Sequence, residues 1–222
     1  PAKTPDAATI IQRSVDAMRR DWQSSAHYIH LERDLEGRGS KTYLILMIDG
    51  SSYQKLTAVN GNPLPFGEAK KEEQKLRAEV ASRRVESQPE RPKRMARTPK
   101  DQQRDHAMMG ELTKAFTFQV TGEQRVNGRQ TWLLNATARP GYQPPNLETK
   151  ALTGMQGKLW IDTQTFEWVR VEARVVRPVS IEDFLAKVEP GTVFQLMRAP
   201  VAKGFWAPSH FSSRSKARIV GF

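Results

Sequence analysis

The stretch "GKLWIDTQTFEWVRVEARVV", Gly157 to Val176, decides the fold. It carries two of the five tryptophans, Trp160 and Trp168, on either side of a polar turn. Its second half alternates apolar and charged residues: Val169, Arg170, Val171, Glu172, Ala173, Arg174, Val175. A period of two is the signature of a strand with one buried and one wet face. The stretch therefore reads as an antiparallel hairpin, and the remainder of the chain must supply what its apolar face packs against.

Similar signals recur on both sides. "FTFQVTGEQRVNGRQTWLLNATA" alternates Phe116, Phe118 and Val120, turns at Asn127-Gly128 and continues into Trp132 to Ala138; Asn-Gly favours the tight hairpin turn. Upstream, Ile29, Leu31 and Leu35 share one strand face, Glu36 to Gly39 is a turn, and Tyr43 to Ile48 is apolar on both faces. A two-faced strand needs cover on each side. Asp49-Gly50 and Asn60-Gly61 are further turns, and Pro190-Gly191 fits a type II turn. Val193 to Ala199 and Phe205 to Arg218 read as the last strands, and Ser180 to Val188 as a short helix capped by Ser180.

Helices are few. Thr4-Pro5-Asp6 reads as a helix start with Thr4 as N-cap. Ile11, Val15, Met18 and Trp22 follow at i, i+4, i+7 and i+11, one helical stripe to lie on a sheet. Gly67 to about Gln88 is a charged helix with little apolar content beyond Leu76, Val80 and Val85, followed by a proline-rich charged segment. Met108, Met109, Leu112 and Phe116 read as a short helix leading back to the core, and Leu147 to Met155 as a short helix or irregular connection. No βαβ alternation appears, which argues against a doubly wound sheet. The expectation is a single mainly β (α+β) domain over 1–222: an unclosed antiparallel half-barrel, an N-terminal helix, and a charged helical insertion at about 67–115 packed as a lid.

Composition narrows the function. The 222 residues suffice to bury a core, there is no cysteine, and mean hydropathy is −0.62. No run approaches the length of a membrane-spanning helix. The chain opens "PAKTPDAAT" without an initiator methionine, which fits a removed signal peptide or a trimmed start. Net charge is +11, which admits nucleic acid, anionic lipid or an acidic protein as partner. Between Gly67 and Glu111, however, twelve Lys/Arg stand among nine Asp/Glu, with no aromatic residue to stack on bases. Nucleic acid is not expected.

Catalysis finds no support. His27 and His30 are three apart on a strand and point to opposite faces, while His106 and His210 stand apart from them. No nucleophile elbow, phosphate loop, dinucleotide fingerprint or zinc spacing occurs. No catalytic residue, metal site or cofactor is expected. What remains is apolar surface on a curved sheet: Ile29, Leu31, Tyr43, Ile45, Met47, Phe118, Trp132, Leu134, Trp160, Trp168, Val171, Phe194 and Trp206. Taken singly, each is a core residue. As a set they line the kind of apolar cavity that an open half-barrel leaves for a greasy ligand.

Three stretches also resemble a known family. "GKLWIDTQTFEWVRVEARV", "GFWAPSHFSSRSKARI" and "RVNGRQTWLLNATA" are similar to hairpins and a late strand of the LolA/LolB-like superfamily of bacterial periplasmic lipoprotein carriers, which includes the RseB-type sensors. The resemblance implies an unclosed β-barrel with a helical lid, an apolar cavity for a lipid or acylated lipoprotein, and export to the periplasm. It also implies the alternative of a sensor that docks on a membrane-protein partner. The basic balance adds an anionic membrane surface as a further expected partner.

Overall fold

The computed structural model describes residues 4–25, 29–36, 38–87, 89–92, 109–181, 186–188, 190–214 and 217–219. The chain divides into two compact units, one of Pro1–Gln23 with Gln103–Phe222 and one of Ser24–Gln102.

The first unit is a helix on a sheet. Helix α1 spans Ala7–Ser25. Its N-cap is Asp6 and not Thr4: the Asp6 carboxylate accepts from the Thr9 backbone N–H at 2.9 Å and the Thr9 hydroxyl at 2.9 Å. Two carboxylate oxygens at the positive end of the helix outmatch a hydroxyl two residues earlier.

The sheet has six strands, in chain order β5 (Phe116–Val126), β6 (Arg129–Ala138), β7 (Met155–Asp162), β8 (Trp168–Val175), β11 (Val193–Ala202) and β12 (Phe205–Arg214). Their spatial order is β12-β11-β8-β7-β6-β5, every neighbour is antiparallel, and the sheet does not close on itself. The expected turns form as read: Asn127 and Gly128 both have positive φ, 50° and 79°, as the tight hairpin requires.

Register explains how the helix seats. Val120, Leu134, Leu159, Val171 and Leu196 are successive cross-strand partners and form one apolar row over five strands. The next row runs Phe118, Ala136, Gly157, Ala173, Phe194. Small residues at its centre, between a Phe at each end, make a trough. Ile10, Ile11, Val15 and Met18 of α1 belong to the same buried cluster as these rows. The expected stripe on α1 therefore lies on the sheet, extended by Ile10.

Before the hairpin, where a short helix or irregular connection is expected, the chain forms α3 (Leu147–Lys150) and a 3-10 turn (Ala151–Gly154). Residues 109–115 are helical, but Phe116 already belongs to β5. Ser180 to Val188 departs further from expectation. Ser180 caps no helix; it lies in β9 (Val179–Ile181) and pairs with Lys187 of β10 (Ala186–Val188), beside β13 (Ala217–Ile219). The β-branched Val179, Ile181 and Val188 favour extended backbone over the capping signal.

The second unit holds a four-stranded antiparallel sheet in sequence order: β1 (His30–Glu36), β2 (Gly39–Ile48), β3 (Ser51–Val59) and β4 (Asn62–Pro63). Asp49-Gly50 and Asn60-Gly61 are again paired positive-φ turns. Helix α2 spans Phe66–Arg84 and has no buried residue. It is held to the sheet largely by charge. Lys55 Nζ meets Glu73 at 2.6 Å, and the Arg83 guanidinium donates to the Ile48 carbonyl at 2.6 Å and the Ser51 carbonyl at 3.0 Å.

Candidate functional site

The face of the six-stranded sheet under α1 is filled by the protein's own side chains. Trp132, Leu134 and Trp168 are buried there, and Phe118, Val171 and Phe194 pack against them. Trp160 and Trp206 are not among them. They lie in a separate cluster with Val126, Val169 and Leu133. The expected lining set is thus split between two clusters.

A β-bulge is the physical reason. Trp160 pairs with Arg170 and Ile161 with Trp168, so Val169 is the extra residue on its strand. Strict alternation would put Trp168 on the wet face with Arg170 and Glu172. The bulge turns it toward α1, where its indole N–H donates to the Ser14 hydroxyl at 3.0 Å. Val169 goes the other way, beside Trp160, whose own indole donates to Gln124 at 2.8 Å.

The candidates of the second unit are placed separately. Ile45 is buried on β2, and Tyr43 and Met47 are half-buried. Ile29 and Leu31 are exposed, at 65% and 67%. Leu31 lies on β1, an edge of its sheet with a neighbouring strand on one side only, and Ile29 just precedes that strand. Among the histidines, His30 and His210 are exposed on strands, and His27 and His106 fall outside the described residues. No group of His, Asp or Glu among the described residues is placed to hold a metal ion. No described helix is long and apolar enough to cross a membrane.

Two clefts open at the rim of α1. One, of about 280 Å³, lies between α1, the helical 109–115 segment and edge strand β5. Ile11, Phe116 and Phe118 give it an apolar lining, Ala8 stands at its helix side, and Arg139 is its charged group. The Arg139 guanidinium donates to the carbonyls of Thr113 and Phe116, both at 3.3 Å, and so stays at the rim. The other cleft, of about 230 Å³, is more polar; there the Arg13 guanidinium lies 3.6 Å from the Phe166 ring centre.

No family model matches the sequence, and no curated protein matches it.

Sequence reasoning missed the most concentrated group of charges in the unit. Arg198 on β11, Asp21 on α1 and Glu167 beside β8 are all buried, at 3%, 2% and 5% exposure. The Arg198 guanidinium bonds Asp21 at 2.5 Å, Glu167 at 2.9 Å and the Trp206 carbonyl at 2.8 Å. Asp21 also accepts from the Trp206 backbone N–H at 3.0 Å. Burial pushes the Glu167 carboxyl up to about 7; the Asp21 carboxylate adds to the rise and Arg198 opposes it. One cation between two carboxylates leaves one negative charge in excess, and a proton on the pair removes it. Closed from water, this group binds nothing from outside. It fastens α1 to the sheet as a clasp. One signal did exist: Ile10, Ser14, Ala17 and Asp21 form a second stripe beside the expected one, and all four are buried.

Proposed function

We propose that this chain is an exported, non-enzymatic binding protein of the periplasm. It takes up an acyl chain of a lipid or lipoprotein between α1 and its six-stranded sheet, a half-barrel with α1 as its lid. The observation that carries this reading is the apolar cleft between α1 and β5, with Arg139 at its rim. At about 280 Å³ it falls just below the usual size of ligand sites and has room for the end of one chain. A longer chain follows the trough only as α1 rises. The hairpins described above fit the LolA/LolB-like resemblance, which belongs to this same proposal.

The test is uptake of a fluorescent fatty-acyl probe by delipidated protein. Wild type should bind the probe, and Ala8→Trp, which blocks the mouth from an exposed helix position, should weaken binding about tenfold or more. A folded wild-type protein that takes up no probe refutes the carrier reading.

A specific observation favours a second reading, an interaction module of the RseB kind. The sheet face is already occupied by Ile10, Ile11, Val15 and Met18, as in a finished core. Absence of probe uptake, with native mass spectrometry finding no co-purifying lipid, selects that reading.

A further inference from the structure

Helix α2 pairs most of its acids and leaves several of its bases unpaired among the described residues. Glu72 is mostly covered, at 14% side-chain exposure, and Glu73 and Glu79 bind Lys55 and Arg83 against the sheet. Lys75 and Arg77 stand out at 66% and 79%, and Lys70, Lys71 and Arg84 are exposed as well. Lys70, Lys71 and Arg84 have no ion-pair partner among the described residues, and Arg77 has only a 3.5 Å contact to Glu73. Glu68 is exposed, and Glu73 keeps 41% side-chain exposure next to Arg77. Glu72, Glu73 and Glu79 are thus each paired with a cation, Lys75, Lys55 and Arg83, while Lys70, Lys71 and Arg84 keep positive charge that no described residue pairs.

Three of the bases are also aligned. Phe66, Lys70, Arg77 and Arg84 lie within about 40° of one another around the helix axis and cover about 27 Å of its length. Phe66 begins this line and its aromatic ring is 85% exposed. We propose that this outer face of α2 is a docking surface for an anionic phospholipid bilayer. Lys70, Lys71, Arg77 and Arg84 meet the headgroups, and Phe66 enters the interface beside them.

A helix surface with an excess of unpaired positive charge complements an anionic bilayer, and four exposed basic residues on one helix are enough for reversible, salt-sensitive attachment. An acidic protein partner would call for a central anchor in a fitted pocket, and this face has none. A single strand of nucleic acid would call for several stacking rings, and it has one, at its end. The proposal goes beyond acyl uptake and does not depend on it.

The test is co-sedimentation of the full chain with phosphatidylcholine vesicles containing about one third phosphatidylglycerol. Wild type should bind these vesicles, ignore pure phosphatidylcholine and detach as salt rises. The variant K70E/R77E/R84E should lose binding by at least about tenfold. Phe66→Ala should weaken it by less and leave the salt dependence in place. Circular dichroism confirms that the variants, all at exposed positions, keep the fold. Wild type that ignores anionic vesicles, or a triple variant that binds them as wild type does, overturns the proposal. So does binding to soluble polyglutamate in place of vesicles, which would make the partner an acidic protein. Acyl-probe uptake should be unchanged in the triple variant, so failure of the carrier reading is visible separately.

Discussion

Arg198 faces two carboxylates where water scarcely reaches, and that arrangement sets a pH dependence with a definite sign. The Glu167 carboxyl sits at about 7 in the fold against an ordinary 4.5. Between those values the folded protein holds a proton that the unfolded chain has released. The contribution of Glu167 to stability is therefore largest below about 4.5 and is lost as pH rises through about 7, a change of about 3 kcal/mol. Urea denaturation across this range should show the slope, and Glu167→Gln should flatten it. Arg198→Met should cost about 3–5 kcal/mol by the same measurement, because it strands two buried carboxylates. Asp162 acts in the opposite sense. Burial raises its carboxyl, but the Thr165 and Gln164 backbone N–H groups, the Thr165 hydroxyl and Arg129 outweigh that and hold it below 3.8. Its contribution is present above 3.8 and is lost as pH falls further. Asp162→Ala removes the group that organises the hairpin turn and should cost about 2–3 kcal/mol. Asp162 falls in the polar turn that the sequence shows between Trp160 and Trp168. Glu167 and Arg198 were not legible as buried groups, because a lone charge in a strand reads as wet surface until its partners are known.

At the scale of elements, local chemistry was readable and context was not. The hairpins and their Asn-Gly and Asp-Gly turns were predictable because positive φ is a demand on the residue itself. Which face Trp168 takes was not, because the bulge at Val169 is settled by Ser14 and Gln124, far away in sequence. The same limit misplaced Ser180 to Val188, whose strands exist only by pairing with each other and with β13. Gly157 shows a demand that can be tested. A Cβ there would stand 2.7 Å from the Glu172 carbonyl oxygen and 3.4 Å from the Ala173 Cα, both backbone atoms. Gly157→Ala should force β7 and β8 apart and cost about 1–3 kcal/mol, visible as a lower midpoint of thermal unfolding. The residue that opens the diagnostic stretch is there for close approach, not for flexibility.

For the helix-on-sheet unit as a whole, the occupied face and the clasp make one prediction together. If an acyl chain enters along the trough, α1 must leave it, and the bonds of Asp21 to Arg198 and Trp206 must break. The clasp carries excess negative charge when Glu167 is ionised, so it is weaker at higher pH. Stopped-flow uptake of the acyl probe should be faster at about pH 8 than at about pH 6, and Glu167→Gln should remove the difference. The same clasp also bears on how the chain reaches its fold. Asp21 belongs to the first helix, while Arg198 and the Trp206 backbone lie 177 and 185 residues further along. A chain emerging from the ribosome holds α1 without its seat until the strands at the other end have been made. Closure over such a span is slow and leaves the apolar stripe of α1 open meanwhile, the condition in which a chaperone, or a second unfinished chain, finds it first.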